Sequence, residues 1–427
     1  MTTAYPFAHH PRRTAIAAAL ITMVALPAAA TNGMNLEAYG AKAGGMGGAS
    51  FAYENGNSAV MNNPATLGLR QDGSSLGLGL TVLMPNVATS MNHPQAGTMR
   101  AKSGGDAYYM PSISLIRKDG KLTYGAGMLA QGGMGTEYGS NSFLSNGTGL
   151  PMRSEVGFGR LMFPLAYNVN DSLTVAGQID YVWASMDVQM LMPDGSGHVN
   201  FSNNSDFTGK ASGNGWAFKL GAHYKINSSL AVGATYHSKT DIGDLEGNGT
   251  FTMLQGGMKI PTQFKVVDFQ WPETVGLGVA WQASPTFMLA ADVKHLAWSD
   301  SMKDFRLGMN MGGGWRVGAM PQNWKDQTVF MIGGQFMVAP GVALRAGINY
   351  ADNPVPDATL NPLFPATIKT HYTLGIGWNM GGGHSVAGSL AIAPKVTRTN
   401  PNMFGQGMAG TVSHSQNTLR INYNYSF

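Results

Sequence analysis

Leu419-Arg420-Ile421-Asn422-Tyr423-Asn424-Tyr425-Ser426-Phe427 is the stretch whose reading decides the fold. Leu419, Ile421, Tyr423, Tyr425 and Phe427 alternate with Arg420, Asn422, Asn424 and Ser426. A period of 2 places the two sets on opposite faces of a β-strand. In a soluble sheet the apolar face would lie on a core. In a transmembrane barrel it meets lipid, the polar face lines a lumen, and aromatic residues sit at the membrane–water boundary. The aromatic residue in the last position fits the barrel better than the sandwich.

The same alternation recurs throughout, as in Leu76, Leu78, Leu80, Val82 and Met84, or Tyr372, Leu374, Ile376 and Trp378. Intervening positions are Gly, Ala, Thr or polar, among them Gln178, Asp180, Lys219, His223, Arg345 and Asn349. Alternation alone establishes only a β protein. The connections say more. Short turns such as Lys118-Asp119-Gly120, Ile226-Asn227-Ser228 and Met380-Gly381-Gly382-Gly383 alternate with long polar stretches at 91–104, 133–152, 191–212, 254–271, 306–325, 353–367 and 400–414. Short periplasmic turns and longer extracellular loops give this rhythm, and counting between them predicts an antiparallel, all-β transmembrane barrel of about 14 strands. Tyr167, Tyr224, Trp281, Phe336 and Trp378 each fall on the apolar phase just before a short turn. With Phe427 they are expected to form an aromatic girdle at one interface, Phe427 also marking the strand on which assembly depends.

Composition agrees. Charged residues are 12% of the chain although hydrophobic ones reach 44%, and the charged share of a globular protein is about 25%. There is no Cys, which excludes a disulfide framework and Cys-ligated metal. A formal charge of +4 with scattered Lys and Arg does not indicate nucleic acid; a mildly cationic lumen that attracts anions is compatible with it. Arg12 and Arg13, an apolar run over 14–26 and Ala28-Ala29-Ala30 read as a secretory signal over 1–30, cleaved before an outer-membrane destination in a Gram-negative bacterium. Residues 31–73 lack strand alternation and are rich in Gly and Asn. They are expected to form a compact plug in the lumen of the 74–427 barrel.

The plug makes the chain recognisable. Asn63-Pro64-Ala65 before the first strand resembles the hatch of the FadL/TodX (OMPP1) family of outer-membrane transporters. Trp324-Lys325-Asp326, Leu344 to Tyr350, Pro354-Val355-Pro356-Asp357, Pro365 and Tyr372-Thr373-Leu374-Gly375 resemble the family's pattern too. The resemblance implies passive uptake of long-chain fatty acids or aromatic hydrocarbons without covalent chemistry or cofactor. Cargo is captured by extracellular loops and released past the hatch through a lateral opening made by an inward kink in the third strand. The matching segment carries Gly132, Gly133 and Gly135; glycines within a strand mark bends, although they could equally be the exit into a loop. Two departures, Ala366-Thr367 where the family has an acidic residue after the proline and Asn168 where fatty-acid transporters are often basic, shift weight toward a neutral cargo.

Phe143, Leu144, Leu150, Met190, Leu191 and Met192 are candidates for first capture, and the 28 Met could line an adaptable conduit. The ten His are dispersed; His223 and His237 fall on inward phases, where a solvated role is the default. Neither a nucleophile–His constellation nor a metal or carboxylate pair emerges, so no enzyme is expected. The alternative function is a general diffusion porin, which has no plug. Expected partners are a hydrophobic small molecule, outer-membrane lipid and lipopolysaccharide, and the barrel-assembly machinery, with the protein a monomer.

Overall fold

The computed structural model describes residues 32–205 and 208–427; the export-signal reading of 1–30 lies outside them. The wall consists of β1 Gly73–His93, β2 Tyr108–Asp119, β3 Leu122–Tyr138, β4 Met152–Asn168, β5 Leu173–Leu191, β6 Ala211–Lys225, β7 Leu230–His237, β8 Thr274–Ser284, β9 Phe287–Leu296, β10 Gln327–Ala339, β11 Val342–Ala351, β12 Thr370–Gly381, β13 His384–Asn400 and β14 Gly410–Ser426. Each pairs antiparallel with the next. The last pairs with the first, Ile421 opposite Leu80 and Tyr425 opposite Leu76, so this ring of fourteen strands is closed. Closure matters because a bilayer offers no water to an unpaired backbone edge.

The period-2 pattern sorts side chains as the sequence implies. Outward positions at mid-strand are apolar and uncovered: Ile179 is 58% exposed, Leu277 56% and Leu374 62%. A continuous apolar belt of this size is an aggregation liability in water, and here it is the lipid-facing surface. None of the helices in the described residues is long and apolar enough to cross a membrane; strands do the crossing. Tyr167, Tyr224, Trp281, Phe336, Trp378 and Phe427 are all exposed. Phe427 pairs through its backbone with Ser74 at the mouth of the ring.

The rims differ. Six short turns lie at one, and long excursions rise from the other. Four of those expected to be loops, 91–104, 191–212, 254–271 and 306–325, carry strands, Gly97–Lys102 and Gly197–Phe201 in the first two. Leu245–Met253, Lys259–Val267, Asp304–Asn310 and Arg316–Pro321 continue the sheet above the ring. Their alternation is short and interrupted by Gly or, in Lys259–Val267, by Pro261, which hid it. Likewise the expected loop start at 133 is strand, because β3 runs on to Tyr138.

Residues 32–69 fill the lumen as a short helix, α1 Ala41–Gly45, and two 3₁₀ turns, Gly56–Val60 and Pro64–Leu69. Isolated helices this short do not hold themselves together. The wall holds them, through inward side chains that bond to luminal backbone. Asp292 Oδ2 accepts from Ser50 N at 2.6 Å and Phe51 N at 2.9 Å. Lys219 Nζ donates to Val60 O at 3.1 Å, and Thr373 Oγ1 accepts from Gly47 N at 2.9 Å. His223 and His237 are not solvated: both are buried, and their Nε2 atoms donate to Ala52 O (3.1 Å) and Asn62 O (3.3 Å).

Ion pairs complete the fastening. Arg420 Nη1 lies 2.9 Å from Glu37 Oε1, with both residues buried. Burial pushes the Glu37 carboxyl up, but the Arg420 and His371 charges outweigh it and hold it at about 2 against an ordinary 4.5. The released segment therefore binds a proton more readily than the docked one between these values. The contribution of this pair is complete above pH 4.5 and disappears as the pH falls toward 2. Thermal unfolding of the detergent-solubilised protein should show a midpoint that drops across this window. In Glu37→Gln the midpoint should be lower at neutral pH and the acid dependence flatter; an unchanged pH profile refutes the assignment.

Candidate functional site

The ladder around the ring is interrupted in one place that matters. β2 pairs with β1 as far as Tyr108–Leu83 and with β3 only as far as Ser112–Leu129. Farther up, the chain returns across the wall, where Gly104 N donates to Glu137 O at 2.7 Å. Between these two points β3 has no strand partner on its β2 side. Pro85 and Pro111 flank the gap; neither has an N–H to give a ladder.

On the other side β3 stays paired with β4, but its register slips between Ala130 and Gly132. The bulge turns the strand inward onto the luminal segment. Gly132 bridges to Asn35, and Gly133 N donates to Met34 O at 3.1 Å. Both glycines are required by the geometry. Gly132 has φ +154°, and a Cβ there would meet the Met34 carbonyl and come within 2.9 Å of the Trp271 ring. At Gly133 a Cβ would run into the Val156 carbonyl. Gly135 lies against the Tyr108 ring. All three are therefore strand residues, Gly132 at the bulge and Gly133 and Gly135 in the regular ladder beyond it, not the exit into a loop.

A cavity of about 300 Å³ occupies this place. Its lining comes from both faces of the wall. Phe158 and Val156 point inward and are buried, whereas Tyr109 (51% exposed) and Met128 (42%) point outward. Met34 and Leu36 form the floor, and Pro365, Ala366, His414 and Gln416 the far wall. Neither Lys nor Arg contributes; Glu155 is the one carboxylate. Above it stacks a run of rings in which Phe158 meets Trp271 at 4.8 Å, Trp271 meets Trp298 at 5.7 Å and Trp298 meets Trp324 at 5.3 Å.

The expected capture residues are less exposed than the sequence suggested. Leu144 and Met190 are buried, and Phe143, Leu191 and Met192 pack half-buried against the same extracellular cluster. Leu150 is half-buried. Asn63-Pro64-Ala65 lies far below, where it fastens the luminal segment. Asn63 Oδ1 accepts from Ala65 N at 3.1 Å as a cap, and its Nδ2 donates to Phe51 O (2.8 Å) and to Ala222 O of β6 (3.0 Å). Asn168 also serves this segment, donating to Gly68 O at 3.0 Å. Tyr108, Phe158 and His414 were missed by sequence reasoning; Pro85 and Pro111, inside strands, were the available signal for the gap.

This architecture has counterparts. Residues 19–427 match the model of the family described as outer membrane protein transport protein (OMPP1/FadL/TodX). The chain belongs to this family. Among solved structures it is similar to the P. putida toluene transporter TodX, at 29% identity and TM-score 0.81, over 92% of this chain and 99% of that one. The Ralstonia pickettii toluene transporter TbuX is 28% identical with TM-score 0.74, over 92% and 99% of the two chains. A Pseudomonas aeruginosa FadL homologue, at 17% identity and TM-score 0.74 over 92% and 100%, shares the fold. A Chlorobium limicola protein, described as uncharacterized and located in the phosphoenolpyruvate carboxykinase gene 5′ region, is 45% identical over 125 residues, 28% of this chain and 58% of that protein. The chain thus matches a little over half the length of that curated relative. As an OMPP1/FadL/TodX member the protein is an outer-membrane barrel of a transport-channel family.

The Asn63 fastening is open to test. Asn63→Ala removes one cap, one bond within the luminal segment and its bond to the wall, at a cost of about 1–3 kcal/mol. Protease cleavage within 32–69 should rise in the folded barrel while the barrel itself still assembles. Unchanged protection would show that the fastening lies elsewhere.

Proposed function

We propose that the protein is a passive uptake channel for small neutral hydrophobic molecules, with monoaromatic hydrocarbons as the favoured class. Cargo gathers at the extracellular cluster, occupies the cavity beside Phe158, and leaves sideways through the β2–β3 gap into the membrane. The 32–69 segment acts as the hatch that denies a straight aqueous path. The observation that carries this reading is the cavity itself, apolar, without a cation, and lined from both faces of the wall. A carboxylate placed there would lose its hydration and find Glu155 rather than a positive partner, a penalty of several kcal/mol. A neutral ring loses nothing comparable. The toluene transporters among the structural relatives support the same choice.

Filling the bulge tests the exit. Gly132→Leu and Gly133→Val should assemble and reach the membrane yet lose most of the uptake of labelled toluene into intact cells, because the new side chains displace the Met34 and Val156 carbonyls. Normal uptake by both variants would eliminate the sideways route.

Removing 32–69 tests the hatch. The shortened barrel should conduct ions in planar bilayers in large, long-lived steps, whereas the full-length protein should not. Open-pore conductance from the full-length protein would establish a general diffusion porin instead.

A further inference from the structure

The lumen has a second recess, of opposite chemistry, at the short-turn rim. Its volume is about 570 Å³, and it is lined by Lys42, Arg70 and Arg345 against a single carboxylate, Glu54. The balance is three cations to one anion, net +2. Lys42 is satisfied by Glu54 at 3.0 Å. Arg70 bonds only to the neutral side chains of Asn57 and Ser75.

Arg345 stands out. It projects inward from β11, is 9% exposed, and has no carboxylate within ion-pair distance among the described residues. Its Nε donates to Gln335 Oε1 at 2.8 Å, and its Nη1 has no partner. Gln335 thus fixes one edge of the guanidinium plane and leaves the other free. The plane lies over Gly377 of β12, where a Cβ would fall 2.6 Å from Nη1 and 3.0 Å from Nη2. Ser385 and Asn424, opposite each other on β13 and β14, add neutral hydrogen-bonding groups to the same recess. A buried, unpaired cation is costly, and an incoming anion removes that cost.

We propose that this recess is a binding site for a small carboxylate, with Arg345 the recognising group and Arg70 a supporting charge. A planar guanidinium with one edge free matches the two oxygens of a carboxylate in a fork-to-fork arrangement. The site lies on the far side of the luminal segment from the apolar cavity. It is therefore independent of the route for neutral molecules, and it gives the mildly cationic lumen a definite location.

Calorimetric titration of the full-length protein in detergent with sodium benzoate should give saturable binding of one equivalent. Arg345→Gln should weaken it about tenfold or more, the scale of a lost charge-assisted pair, while leaving toluene uptake intact. Arg345→Lys, which keeps the charge but not the fork, should recover only part of the loss. Heat-modifiable mobility on gels verifies that each variant is folded. If Arg345→Gln does not assemble, Arg70→Gln decides, with a several-fold weakening expected. Absence of saturable benzoate binding, or binding unaltered in every folded variant, overturns the proposal. Equal sensitivity of benzyl alcohol to the Arg345 substitution overturns it as well, because the neutral analogue cannot use the charge.

Discussion

A backbone N–H inside a bilayer has no water to bond, so each must find a partner within the protein. This one constraint organises the molecule. It forces the wall to close, with Leu80 opposite Ile421 completing the circle. It also makes the gap beside β3 informative, because strand edges at membrane depth are not left bare. There the luminal segment steps in: Met34 O takes the N–H of Gly133, and Asn35 bridges Gly132. The break in the wall and the plug in the lumen are thus one construction.

The same economy governs the interior. Short helical turns cannot satisfy their own ends, so inward side chains of the wall do it for them, Asp292 for Ser50 and Phe51 and His223 for Ala52, while Asn63 of the segment reaches out to the Ala222 carbonyl of the wall. Asp180 sits between Arg160 at 2.7 Å and Lys219 at 3.2 Å, all three buried. Such buried pairs add little net stability. What they supply here is position: the triad ties β4, β5 and β6 together and holds the Lys219 ammonium against Val60 O of the luminal segment.

Much of this could be read in the sequence, for a physical reason. The wall is a period-2 object, and Leu374, Ile376 and Trp378 announce their face without any neighbour. Turns of two to four residues likewise betray themselves through Gly, Asn and Asp. The cavity could not be read this way. It is assembled from Met34, Phe158, Pro365 and His414, residues hundreds of positions apart whose shared space exists only after the ring has closed. Histidines were misjudged because an inward phase says lumen but not whether the lumen is wet. His237 is buried only because Asn62 comes to meet it. The upper hairpins, such as Lys259–Val267, escaped because their alternation is brief.

The run of rings from Phe158 through Trp271 and Trp298 to Trp324 has a use beyond packing. Indoles this close share their excited states, and the series begins at a side chain that borders the cavity. Occupancy of that space changes the surroundings of Phe158 and, through it, of the first indole. A guest in that space would therefore register in the near-ultraviolet circular dichroism and emission of the protein without any attached label.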